Sequence, residues 1–158
     1  MAPSGRRPGR QVNCRYGEAE ALNDMGSLCR LQGLLELAAD HHREALELFR
    51  TMGNPVGQVA ALNGLGEAMT DMGQPARALS HHTAALDLVA QVTDRYEKVR
   101  TLDGLARAHD LIGDTRLANK HKERALALYM EMGLPETSGA PHDPRLLVPD
   151  VPTGPVTR

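Results

Sequence analysis

Tryptophan is absent from the 158-residue sequence, phenylalanine occurs once, and aromatic residues make up only 3%. A core without large rings must be built from Ala, Leu, Val and Met. Such small side chains suit closely stacked helices better than a sheet, which favours β-branched and aromatic residues. A basic excess is missing too. The 18 Lys and Arg residues face 20 Asp and Glu, a formal net charge of −2. No broad basic face is therefore expected for nucleic acid or an anionic membrane. Nor does any apolar run approach the ~18 residues needed to cross a bilayer. There are only two cysteines, Cys14 and Cys29. They make no metal or redox motif, and a reduced compartment is the simpler reading. The opening MAPSGRRPGRQ carries Arg6, Arg7 and Arg10 without a following apolar segment. It is not a secretory leader by that test, and a cytoplasmic protein is expected.

Catalytic signatures are also missing. The sequence holds no G-x-S-x-G, no H-E-x-x-H and no glycine-rich phosphate loop. No enzyme activity and no cofactor are expected.

What is present is a period. The stretch from Val56 to Asp94 recurs once upstream and once downstream, 40 residues away each time. Leu22, Leu62 and Leu102 match, as do Gly33, Gly73 and Gly113, and Ala38, Ala78 and Ala118. Ala45-Leu46, Ala85-Leu86 and Ala125-Leu126 complete the register. A fixed period of this length is the signature of stacked repeats. Each unit reads as two helices. In the first, Ala21, Leu22, Met25, Leu28 and Cys29 fall at i, i+3, i+4 spacing and make one apolar stripe. Gly33 ends that helix as a left-handed cap. Gly53-Asn54-Pro55 ends the second, because proline donates no amide hydrogen and disfavours helix just before it.

The spacing predicts helices over about 16–32, 35–52, 56–72, 75–92, 95–112 and 115–132. Thr93 or Asp94 is expected to cap the fifth. Three repeats follow, over about 16–54, 55–94 and 95–134, together spanning 16–134. Residues 1–15, rich in Arg, Pro and Gly, are expected to be disordered. Residues 135–158, broken by Pro141, Pro144, Pro149, Pro152 and Pro155, are expected to form a flexible tail.

The unit ALNGLGEAM, ending at Gly73, followed by ARALSHHTAAL, resembles the tetratricopeptide repeat. Leu62, Leu65, Gly66, Met69, Ala78, His82 and Ala85 match that family's recurrent core positions. Two departures stand out. The usual large aromatics of the first helix are replaced by Leu or Met, and the unit has 40 residues rather than about 34. The longer unit resembles those of actinobacterial transcriptional regulators of the SARP and NB-ARC types, where such repeats form the carboxy-terminal sensor or oligomerisation part. The resemblance implies an all-α, right-handed solenoid of three antiparallel helix hairpins. It further implies a non-catalytic module for protein–protein interaction within a bacterial transcriptional regulator. A free-standing adaptor that binds a peptide is the alternative. A protein or peptide ligand and a homodimer are the expected partners, with no nucleic acid bound by this chain itself.

The same alignment places a concave groove on the first helices. Its side chains would be Asn23, Asp24, Ser27 and Arg30, then Asn63, Glu67, Thr70 and Asp71, then Arg100, Asp103, Arg107 and Asp110. Asn23 and Asn63 recur in register with Asp103. An Asn amide both donates and accepts, which suits reading a peptide backbone; the other reading is that it ties helices together. The family's groove asparagine lies one place later, where this chain has Asp24, Gly64 and Gly104. Histidines are the remaining temptation, as His41-His42, His81-His82, His109, His121 and His142. Neighbours on a helix point about 100° apart, so an adjacent pair does not chelate one ion. Packing of His42 and His82 as ring spacers is expected, with His41, His81 and His121 as a partly exposed ladder and no metal or enzyme site.

Overall fold

The computed structural model describes residues 8–133, which form six helices. They are α1 (Pro8–Leu31), α2 (Leu35–Thr51), α3 (Pro55–Asp71), α4 (Pro75–Val89), α5 (Arg95–Ile112) and α6 (Thr115–Glu131). Each consecutive pair packs as neighbours. α1 also touches α3, and α3 touches α5, whereas α2, α4 and α6 do not touch one another. The first helices therefore crowd the inner side of the stack and the second helices splay on the outer side. The architecture is an all-α solenoid of three antiparallel helix hairpins.

Local chemistry sets the boundaries. Asn54 caps α3 by accepting from the Gly57 amide at 3.0 Å, and Asp114 caps α6 by accepting from Leu117 at 3.0 Å. Asp94, not Thr93, caps α5 through the amides of Tyr96 and Glu97. Such caps satisfy amides that have no partner within the helix. Gly33, Gly53, Gly73, Gly113 and Gly133 have positive φ. Position 93 is Thr, and there α4 stops at Val89, earlier than the periodicity suggests. Val92 nevertheless folds into the core, only 1% exposed. At the other end α1 starts at Pro8, so residues 8–15, expected to be disordered, are helical. Proline is at home in a first turn, and extending a packed helix avoids the cost of nucleation. Residues 1–7 and the tail expected over 135–158 lie outside the described residues.

The core runs between the two helix layers. Phe49, Leu65, Met69 and Val59 are its large members, spaced by Ala19, Ala45, Ala68, Ala78 and Ala85. Burying each large side chain contributes about 1.5–3 kcal/mol. The alanines let helix axes approach closely. α6 encloses only Ala118, His121 and Ala125.

Candidate functional site

The inner face is organised by charge. Arg30 on α1 reaches across to α3, pairing with Asp71 at 2.7 Å and Glu67 at 3.4 Å. Arg100 on α5 reaches back to Glu67 at 2.8 Å and also holds Glu97 at 3.1 Å. Arg107, one face further along α5, lies 4.0 Å from Asp71. Guanidinium, carboxylate and guanidinium thus alternate across three successive first helices. Burial alone would raise the Glu67 carboxyl, but Arg100 and Arg30 together hold it below the usual range. Arg100 also lies over the Tyr96 ring, 5.8 Å from its centroid. Glu67 and its two arginines are nearly enclosed, whereas Arg107 keeps 45% of its side chain exposed.

The recurrent asparagines lie deeper. Asn63 has no exposed surface. Its Nδ2 donates to the Glu97 carboxylate and to Thr101 Oγ1, both at 3.0 Å. Its Oδ1 sits 3.2 Å from His82 Nδ1. The amide therefore ties its own hairpin to α5 of the next repeat and presents nothing to a groove. Asn23 makes the equivalent bond to His42 Nδ1, at 2.9 Å, and stays half-buried. In the third repeat the pattern changes: Asp103 accepts from the Tyr129 hydroxyl at 2.8 Å. Burial raises the Asp103 carboxyl, against the opposing influence of Tyr129 and Arg107.

The two histidines occupy slots walled by glycine. The His42 ring fills the space between Gly26 on α1 and Gly64 on α3, and a Cβ added at either would overlap it. His82 sits the same way between Gly66 and Gly104. Gly64 and Gly104 are the positions where the family's groove asparagine was missing, and the histidine rings are the reason: no side chain fits there. Burial lowers both imidazoles to a pKa of about 4, more than offsetting the upward pull of Glu67. Nε2 of each ring has no hydrogen-bond partner. A proton there would be a charged donor buried without an acceptor, which is far more costly than a bare lone pair.

The structure thus brings together Arg30, Glu67, Asp71, Arg100 and Arg107 and withdraws Asn63. Ser27 and Thr70 bond to the carbonyls of Asn23 and Gly66 one turn earlier. Asp24 is exposed at the α1 edge, and Asp110, also exposed, pairs with Lys122 at 2.6 Å. Glu97, Thr101, His42, His82 and the glycine walls were not among the expected groove residues. Their signal was covariation between repeats: His42 and His82 each accompany Gly 16 before and 22 after, and both change together where Lys122 meets Ala106. The expected histidine ladder is uneven. His41 and His81 are half-buried, while His121 is buried and its ring stacks on His109 with centroids 5.5 Å apart. Among the described residues no group of three or more His, Cys, Asp or Glu is placed to hold a metal ion, and no helix is long and apolar enough to cross a membrane.

A family model described as tetratricopeptide repeat matches residues 58–131. None of the curated proteins matches the sequence. Among solved structures, the chain is similar to the TPR domain of Arabidopsis FLU, with a TM-score of 0.68 at 20% identity, covering 75% of this chain and 98% of that one. It is also similar to BtubC (BKLC) from P. vanneervenii, with a TM-score of 0.66 at 21% identity, covering 77% of this chain and 52% of that one. At such identities the likeness establishes the fold.

Proposed function

Proceeding from this tetratricopeptide-type solenoid, we propose that the chain is a non-catalytic protein-interaction module. Its inner face receives a protein or peptide partner, and the chain self-associates. It acts in the cytoplasm as the sensor or oligomerisation part of a bacterial transcriptional regulator. The observation that carries the interaction reading is the ion-pair ladder from Arg30 to Arg107. Five side chains are already ordered on one face before any partner arrives, so a ligand does not bear the entropy of fixing them. Arg107 and Asp71 are the most exposed rungs and are available to an acidic or mixed-charge segment. The regulator reading is supported by the 40-residue unit and by an Arg-rich, Lys-poor composition. An in-frame DNA-binding or ATPase segment beside this one in the source genome would support it, and a lone reading frame would favour the free-standing adaptor.

Panning a displayed peptide library against the chain tests the inner face. Enriched peptides should lose tenfold or more in affinity by fluorescence anisotropy against Arg107→Glu, with an unchanged melting curve. Peptides that bind both forms equally, or a library that yields none, would remove the inner face from the proposal.

A further inference from the structure

The two ends of the stack carry matching chemistry. In the joint between the first and second repeats, His42 rests on Gly64 and Phe49 rests on Gly57. In the next joint His82 rests on Gly104, and Arg100 pairs with Glu67 at 2.8 Å. These contacts fix a register. A residue in the His42 position meets one 22 places later, the Phe49 position meets one 8 later, and the Glu67 position meets one 33 later.

Applied to the third repeat, this register selects Lys122, Tyr129 and Arg107. If the following repeat is the first repeat of a second copy, the residues that meet them are Asp24, Gly17 and Glu20. Every contact is complementary. Lys122 faces Asp24 where the internal joints have His on Gly. Tyr129 faces Gly17 as Phe49 faces Gly57, and a Cβ at Gly17 meets nothing within 4 Å, so the socket is open. Arg107 faces Glu20, the Glu67–Arg100 pair with its charges exchanged. Asp24 and Glu20 are exposed, and Lys122 and Arg107 are about half exposed.

The apolar surface agrees. Met25 and Leu28 on α1 are 47% and 59% exposed. Their register equivalents, Leu65 and Leu105 at 2% and Ala68 and Ala108 at 0%, are covered by the preceding hairpin. Nor is the α1 edge shaped for another histidine-bearing repeat, because Asp24 stands where the ring requires glycine.

We propose that the α1 edge of one copy docks on the α5–α6 end of another, continuing the solenoid head to tail with Lys122 on Asp24 and Tyr129 on Gly17. This rests on the reading of the chain as a self-associating interaction module; it uses the ends of the stack and shares only Arg107 with the inner-face ladder. The contact is heterologous: the two surfaces differ, so each added copy leaves a fresh end. Such contacts give open chains unless the rotation closes a ring. Lys122 now pairs with Asp110, and in the joint it bridges Asp110 and Asp24.

Sedimentation velocity of the full chain over a hundredfold concentration range tests this. The mean size should rise steadily with concentration. Asp24→Lys and Lys122→Glu each place like charges across the joint, and each should weaken association tenfold or more. Mixing the two variants restores an opposite pair at every joint and should restore assembly. Gly17→Trp blocks the open socket and should act as a chain stopper, without loss of melting temperature. A monomer at all concentrations would overturn the proposal. So would a dimer of fixed size, or single charge variants that mixing fails to rescue. Because Arg107 belongs to both surfaces, the peptide measurement is made on the Asp24→Lys background, where copies do not associate, and there either reading can fail alone.

Discussion

The two internal joints share one device and differ in everything around it. Each seats a histidine ring between two glycines and fixes it with an amide oxygen. In the first joint Phe49 lies over Gly57, and the ion pairs of Arg30 with Asp71 and Glu67 lie on the inner side. In the second, small Val89 takes the place of Phe49 and large Glu97 takes the place of Gly57. Volume is conserved across the pair while its polarity inverts. The buried Glu97 is then held by Asn63 and Arg100. The difference teaches that the histidine slot sets the stacking geometry, and that the flanking space accepts either a ring or a satisfied charge. A buried carboxylate is tolerated only because each oxygen finds a donor.

The largest expected effect follows from that asymmetry. Asn63→Ala removes a donor from Glu97, a partner from Thr101 and the acceptor for His82 Nδ1. All are buried, and the loss should be about 3 kcal/mol. Asn23→Ala removes a half-exposed bond to His42 alone, and should cost about 1 kcal/mol. Urea midpoints of the two variants measure the gap. Equal losses would mean that the second joint's network contributes no more than the first joint's single bond.

The next effect tests what the joints share. Gly104→Ala forces a Cβ into the His82 ring, and overpacking should cost about 1–3 kcal/mol. In a His82→Ala background the slot is empty. There the same substitution should be neutral or favourable by about 0.5–1 kcal/mol, since Ala suits a helix interior better than Gly. The difference between backgrounds, read as a double-mutant cycle, isolates the ring contact. Additive effects would show that Gly104 serves some other purpose. A phenylalanine in place of His82 is expected to lose stability because the slot is sized for the smaller ring and offers it a hydrogen bond.

Much of this architecture is legible in the sequence. Leu22, Leu62 and Leu102, with the glycine and alanine rows, place all six helices to within about three residues, apart from the start of α1. The start of α1 escapes because Pro8-Gly9-Arg10 has no apolar period, and its helix is an extension of what packs later in the chain. The groove is half legible. Register puts Arg30, Glu67, Asp71, Arg100 and Arg107 on one face, but it does not separate an inward residue from an exposed one a helical turn away. Asn63 is the case in point: its burial depends on Glu97 and Thr101, which lie on another repeat. Gly64 and Gly104 looked like losses from a binding motif. Only beside His42 and His82 do they become the far walls of two slots, a relation between positions 22 residues apart that no single-repeat pattern contains.

The smallest effect per site tests whether the shared slots behave alike despite their different surroundings. In both, burial holds the ring at a pKa of about 4, against about 6.5 in an unfolded chain. The folded pKa lies below the unfolded one. The unfolded state therefore binds more protons between about pH 6.5 and 4, and stability must fall as pH falls through that window. Above it both states are neutral and the linkage vanishes. From pH 7 to 5.5 the expected loss is on the order of 1 kcal/mol per ring. Glu67 does not confuse this interval, because its lowered carboxyl titrates below the ordinary acidic range. His81 and His121 are also lowered, chiefly by burial, and add in the same direction. The urea midpoint should therefore drop between pH 7 and 5.5, while the imidazole resonances of His42 and His82 stay unshifted. Asn23 is half-buried where Asn63 is fully enclosed, so the comparison is sharpest at His42. If His42 titrates near 6.5 while His82 does not, the first slot opens to water, and the glycine walls alone do not define the joint.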